Sequence, residues 1–259
     1  MRLPIWQVDA FSARRFSGNP AAVVPLEHWL PDETLLAIAA ENNLSETAYL
    51  VRDPDAYQIR WFTPTAEIPL CGHATLASAW VITRRLEPGC QRVVFRSQSG
   101  ELPVTLEGER LVLDFPVGSL APAADPTALS AALGAQPLEL FSGFQWLALF
   151  DSEAAVRALT PDMRALVETG IHGVIATAPG VGCDFVSRFF APSAGVPEDP
   201  VTGSAHTRLT PFWAARLGKS SLHARQVSAR GGELWCKLQG ERVRIAGHAC
   251  LYLEGSIEV

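Results

Sequence analysis

The sequence predicts a mixed α/β (α+β) protein built from two similar domains by internal duplication, each a set of strands around one buried helix. Three observations predict it. Short runs rich in β-forming residues recur along the whole 259-residue chain. Residues 75–82 are apolar or small on every face, as expected of a helix enclosed by strands. The two halves also echo each other in order. Arg60-Trp61-Phe62-Thr63-Pro64 matches Arg188-Phe189-Phe190-Ala191-Pro192. Pro69-Leu70-Cys71-Gly72-His73-Ala74 matches Pro200-Val201-Thr202-Gly203-Ser204-Ala205. Gly100-Glu101-Leu102 matches Gly232-Glu233-Leu234. The repeat places one half at residues 1–116 and the other at 117–259, with terminal strands free to cross between them.

In chain order, residues 3–11 and 21–26 read as strands, separated by a Phe16-Ser17-Gly18-Asn19-Pro20 loop. A helix over 32–42 stops at Asn42-Asn43, and Glu46 stands at the entrance of a strand over 47–51. Further strands are expected over 57–63, 91–97, 101–107 and 110–115, with a two-residue hairpin turn at Gly108-Glu109. Residues 117–126 resemble a linker. Helices follow over 152–159, started by Ser152, and over 161–169, started by Thr160-Pro161. Strands over 144–150, 173–177 and 185–190 lead to Glu198-Asp199-Pro200-Val201-Thr202-Gly203-Ser204-Ala205-His206, where a loop turns into a second buried helix. Four closing strands span 222–228, 233–239, 242–246 and 249–254.

With 48% hydrophobic and 19% charged residues, the composition is that of a core-rich globular protein. A net charge of −6 argues against a nucleic-acid partner and against an acidic membrane surface. No apolar run reaches the roughly 20 residues that a membrane-spanning helix needs. Five cysteines without a CxxC suggest free thiols in a reducing cytoplasm, and no zinc-type ligand spacing is present.

The helix starts at Gly72 and Gly203 carry free N–H groups that suit a carboxylate or phosphate, so a small anionic substrate in a cleft between the halves is the expected ligand. The chemistry is assigned to positions where the halves differ. Cys71 faces Thr202, His73 faces Ser204, and Ile68 faces Asp199. A Thr202 hydroxyl is too weakly acidic to be half of a two-thiol racemase. Glu46 can instead remove and return a proton, with His73 and Asp199 binding polar substrate groups and Ser204 adding a hydroxyl to an anion cradle. A core histidine, a small buried cysteine, a first-turn serine and a turn aspartate account for the same residues without chemistry. An epimerase using Cys71 and a non-catalytic binding protein are the alternatives. Residues 141–146 are expected to help set specificity.

The motifs Gln7-Val8-Asp9-Ala10-Phe11, Gly18-Asn19-Pro20-Ala21-Ala22-Val23, Asn43-Leu44-Ser45-Glu46-Thr47-Ala48, Cys71-Gly72-His73-Ala74-Thr75, the Glu198–His206 stretch quoted above and Ser228-Ala229-Arg230-Gly231-Gly232 span nearly the whole chain. Together they resemble the PhzF-like phenazine-biosynthesis isomerase family, of the diaminopimelate-epimerase-like fold. The resemblance implies two domains, each a barrel-like sheet wrapped around a central helix, and commonly a homodimer. It also implies an isomerase without cofactor or metal. Glu46 matches the family's proton-shuttling glutamate, and His73, Asp199 and Ser204 match residues lining its site. Asn19, Gly72, Thr202 and Gly203 fall within the motifs and join the substrate-binding candidates.

Overall fold

A computed structural model describes residues 1–124 and 127–259, with only the backbone of Thr127. The chain divides into two compact units, Met1–Asp114 with Ile245–Val259, and Phe115–Arg244.

In the first unit, β1 (Arg2–Ala10) and β2 (Asn19–Leu26) form an antiparallel pair, α1 (Asp32–Asn42) follows, and β3 (Glu46–Arg52) returns parallel to β2. β4 (Tyr57–Phe62) runs antiparallel to β3 and to the two-residue β5 (Glu67–Ile68). After α2 (Gly72–Val81) and a π-type turn over Ile82–Leu86, β6 (Arg92–Ser97) lies parallel to β4. An antiparallel meander through β7 (Gly100–Glu107) and β8 (Arg110–Pro116) ends the run, with Gly108 in the left-handed region at the hairpin as the turn chemistry requires.

α2 is buried on all sides: eight of its ten residues are buried, against β1, β2 and β3. Its two hydroxyl side chains cause no loss because each bonds back to the preceding turn. Thr75 Oγ1 donates to the Cys71 carbonyl and Ser78 Oγ to the Ala74 carbonyl. The core between α1 and the sheet collects Leu3, Ile5, Val24, Leu35, Ile38, Tyr49 and Phe62.

The second unit opens with β9 (Ala121–Ala123), inside the stretch read as a linker; it pairs with β10 (Glu139–Ser142), beyond α3 (Thr127–Leu133). Asp125 and Pro126 of that stretch lie outside the described residues. β11 (Trp146–Leu149), α4 (Glu153–Ala158), α5 (Met163–Glu168) and β12 (Val174–Pro179) come next. The cap of α5 is Asp162, whose Oδ1 accepts from the Arg164 and Ala165 N–H groups, rather than Thr160-Pro161. A carboxylate two residues later outcompetes the Thr-Pro signal because it satisfies two orphan donors at once.

β13 (Phe185–Ala191) pairs antiparallel with β12 and β14 (Val196–Asp199) and, beyond α6 (Gly203–Leu217), parallel with β15 (Ser221–Gln226). β16 (Gly232–Gln239) and β17 (Arg242–Gly247) follow. β4 makes the same set of pairings in the first unit, with β3, β5 and β6. Even the ion pair recurs. Arg60 forks onto Glu67 at 2.8 and 2.6 Å, and Arg188 onto Glu198 at 2.7 and 2.9 Å.

α6 contains Pro211, which cannot donate to the Thr207 carbonyl four residues back. The Gly118 N–H takes that carbonyl at 3.2 Å, so the helix continues with the acceptor satisfied.

The last strand, β18 (Ala249–Glu258), pairs antiparallel with β1 along its whole length, from Arg2↔Glu258 to Ala10↔Ala249. That ladder is why residues 245–259 belong to the first unit, although the repeat alone groups them with 117–244. Among the described residues, no helix is long and apolar enough to cross a membrane.

Candidate active site

Three neighbouring pieces of the first unit bring Glu46, His73, Cys71 and Asn19 together. α1 ends where Asn43 turns left-handed (φ 48°) and its N–H bonds the Ala39 carbonyl, as an αL cap does. Asn42 Nδ2 then donates to Thr47 Oγ1 at 3.0 Å, tying the helix end to the strand that Glu46 begins. Asn19 starts β2 and is fully buried. Gly18 before it has φ 74°, and a Cβ there would lie 2.2 Å from the Ala10 carbonyl oxygen, so only glycine lets the loop close onto β1. Asp9 Oδ2, itself buried, accepts the Phe16 N–H at 2.9 Å and holds the same loop.

His73 is the second residue of α2 and is 6% exposed. Its Nδ1 lies 3.2 Å from Asn19 Nδ2 and 3.5 Å from Cys71 Sγ. Its Nε2 lies 3.0 Å from Glu46 Oε2, with the Glu46 side chain 12% exposed. Asn19 donates, so Nδ1 accepts and the ring proton sits on Nε2. The Nε2–Oε2 pair is close but not aligned as a hydrogen bond, and both atoms are buried without a bonded partner among the described residues. Orphaned polar atoms of this kind are rare in cores, and a catalytic role is one reason for a fold to keep them.

Burial works against a charge on His73, but its neighbours reverse that, and it takes a second proton more readily than an ordinary histidine. The Cys71 thiol is pushed up to about 11, by burial first and by the Glu46 charge second. It is therefore a neutral thiol near pH 7, and the Glu46 carboxylate is the group that favours the imidazolium. Glu46, Cys71 and His73 each offer a ligand atom, all within 4.8 Å of one another, so this trio has the donor set of a zinc-type ion. No spacing in the sequence reveals that trio, because the strand carrying Glu46 lies far along the chain from Cys71.

In the second unit, Asp199 closes β14 and Thr202 precedes α6. Thr202 Oγ1 donates to Asp199 Oδ2 at 2.5 Å. Gln226, at 1% exposure, clamps both. Its Oε1 accepts the Thr202 N–H at 2.9 Å, and its Nε2 donates to the Asp199 carbonyl at 2.7 Å and to Thr202 Oγ1 at 3.1 Å. Sequence reasoning missed Gln226. The signal was there, since it occupies the inward position of β15 after Leu222 and Ala224, where an apolar residue is expected. His206 sits one turn into α6 with Nδ1 2.8 Å from the Thr202 carbonyl. Burial lowers its pKa to about 4, so it is a neutral donor that fixes Thr202 from the other side. Ser204 is exposed at the first turn, and its Oγ accepts from Gln145 Nε2 at 3.0 Å. Gly203, the first helical residue, is buried.

A model of the phenazine biosynthesis-like protein family matches residues 8–255. The chain belongs to that family. It is 55% identical, over the full length of both chains, to a Pseudomonas aeruginosa protein named "uncharacterized isomerase". A crystal structure of a PhzF-family phenazine biosynthesis protein from Enterococcus faecalis superimposes with TM-score 0.98 at 45% identity, covering all of both chains. A "predicted epimerase" from Pseudomonas aeruginosa superimposes with TM-score 0.77 at 21% identity, over 99% of each chain, a likeness of fold alone. Family membership makes this chain an isomerase of mixed α/β fold.

Proposed function

We propose that this isomerase moves a proton on a small carboxylate-bearing substrate, with Glu46 as the single acid/base and no cofactor. One observation carries the reading. Glu46 Oε2 is buried 3.0 Å from an imidazole nitrogen, yet neither atom spends its hydrogen-bonding capacity on the other. A carboxylate oxygen already committed to an aligned donor is a poor base. Oε2 is not so committed, so it is open to take a proton from a carbon brought against it.

In the forward step the Glu46 carboxylate takes a proton from a substrate carbon, and the C–H electron pair moves into the conjugated system of the substrate. Glu46, now a neutral acid, returns that proton to another carbon, and the double bonds shift. His73, oriented by Asn19 and Cys71, stands beside the carboxyl throughout. In the second unit, Asp199 is held rigid by Thr202 and Gln226 and has the role of a polar binding group. Ser204 and the Gly203 helix start have the role of anion donors.

Cys71 carries no proton-transfer step in this reading. A thiol with a pKa near 11 is a poor base at neutral pH, and its counterpart in the repeat, Thr202, gives its hydroxyl proton to Asp199.

The test is deuterium uptake in D2O across a panel of small unsaturated carboxylates, read by mass spectrometry. The wild type is expected to label at least one member. Glu46→Gln should slow that labelling by about a hundredfold or more, while Cys71→Ala changes it by less than about tenfold. Labelling at the wild-type rate in Glu46→Gln would remove Glu46 from the role.

A further inference from the structure

Arg208 lies on the same face of α6 as Ser204, one turn later, and its guanidinium leans back over the first turn of the helix. Seven other arginines, Arg60, Arg85, Arg96, Arg157, Arg188, Arg216 and Arg225, each reach a carboxylate at 3.0 Å or closer among the described residues. Arg208 is half-buried and has no carboxylate within ion-pair reach among the described residues. Its bonds all leave from Nη1 and all go to neutral oxygens: the Ser204 carbonyl at 3.2 Å, Gln145 Oε1 at 3.3 Å and Thr207 Oγ1 at 3.4 Å. Those lengths exceed the roughly 2.7–2.9 Å of charge-assisted bonds. Its Nε is buried with no partner among the described residues. Burial pulls the pKa of this group down, and no charge among the described residues pushes it back.

A partly desolvated cation without a counter-ion is costly to keep, and the fold is shaped to keep it. A Cβ on Gly118 would lie 2.6 Å from Arg208 Cγ and 3.0 Å from its Cζ, so this glycine makes the space that seats the side chain. Gln145, 4% exposed, braces the arrangement from both ends. Its Oε1 accepts from Arg208, and its Nε2 donates to Ser204 Oγ. That second bond leaves the Ser204 hydroxyl proton free to point away from the protein. The exposed Ser204 O–H and the uncompensated guanidinium thus stand side by side, two donors for a planar anion of two oxygens.

We propose that Arg208, with Ser204, recognises a carboxylate of the substrate, and that Gln145 positions both. The missing counter-ion is the ligand. The inference rests on the reading of Ser204 as an anion-binding hydroxyl, and it makes Arg208 a determinant of substrate charge.

The experiment is thermal unfolding of the whole protein in sodium succinate and in sodium phosphate, each against sodium chloride of matched ionic strength. The wild type is expected to show a saturable rise in Tm with succinate beyond that with chloride. Arg208→Met should bind succinate at least tenfold more weakly, while its own Tm in chloride stays level or rises, since a buried charge has been removed. A wild type without a succinate response overturns the proposal, as does a response to phosphate alone or an Arg208→Met protein that still responds. Where Arg208→Met loses both the response and Tm, Arg208→Lys decides: a recovered response supports charge recognition, and no recovery assigns Arg208 a structural role. Glu46→Gln should keep the full succinate response. Failure of the proton-transfer reading and failure of this one therefore show up in different variants.

Discussion

His206 shows how far burial can set a single residue. With its pKa lowered to about 4 from an ordinary 6.5, it is neutral in the folded protein over a range where the unfolded chain holds it charged. The unfolded state therefore binds the extra proton first. The stability this residue contributes is whole above pH 6.5 and is lost as pH falls through about 4, a swing of about 3 kcal/mol. His73 works in the opposite sense. Its pKa is raised, so its contribution is present below 6.5 and fades as pH rises past its folded value. Urea unfolding at pH 7 and near pH 4.5 should show a smaller loss of stability for His206→Gln than for the wild type. An unchanged loss would mean that His206 is not buried neutral. Of these two histidines, His73 was legible in the sequence because it breaks the repeat at a helix entrance. His206 was visible only as a motif member, since nothing in the chain order reveals that its ring meets the Thr202 carbonyl.

At the scale of elements, two small devices hold the candidate residues, one in each unit, and each is open to test. The Phe11–Asn19 loop closes only because Gly18 sits at φ 74° against the Ala10 carbonyl. Gly18→Ala should cost about 2 kcal/mol or more of stability, read from the denaturant midpoint, and should slow turnover by displacing Asn19 from His73. The clamp of Gln226 on Asp199 and Thr202 is the second device. Gln226→Leu leaves the buried Thr202 N–H unsatisfied and removes a bond to the part-buried Asp199 carbonyl, at a cost of roughly 2 kcal/mol. Its kcat/KM should fall with Asp199 no longer held, and Gln226→Glu, which keeps the acceptor for the Thr202 N–H, should recover part of the stability. Such cross-links escape a reading of periodicity. Strand and helix positions follow from apolar spacing, which is why α1, α2 and α6 were placed within a few residues. The partners of a buried glutamine depend on which strands meet, and β15 meets β13 across an entire intervening helix.

For the whole molecule, family membership and the matched pairings of β4 and β13 fit the echo between Arg60-Trp61-Phe62 and Arg188-Phe189-Phe190 that the sequence displays. The Arg60–Glu67 and Arg188–Glu198 forks show what that echo preserves, a structural ion pair at the same place in each unit. What the echo hides is the return of residues 245–259 to β1, because a β-ladder with the N-terminus leaves no mark in local composition. The polar groups at the two helix entrances differ: the first unit has the buried Glu46–His73 contact, the second the Asp199–Thr202–Gln226 lock.

The most direct test of a single carboxylate carrying the proton both ways is the fate of the label it carries. Substrate deuterated at the carbon that loses its proton is converted in ordinary water, and the product is analysed early in the reaction. A carrier as shielded as Glu46, 12% exposed, should return part of the deuterium to the product. Product that holds only solvent hydrogen, even at the shortest times, would contradict the account and point to separate groups removing and supplying the proton.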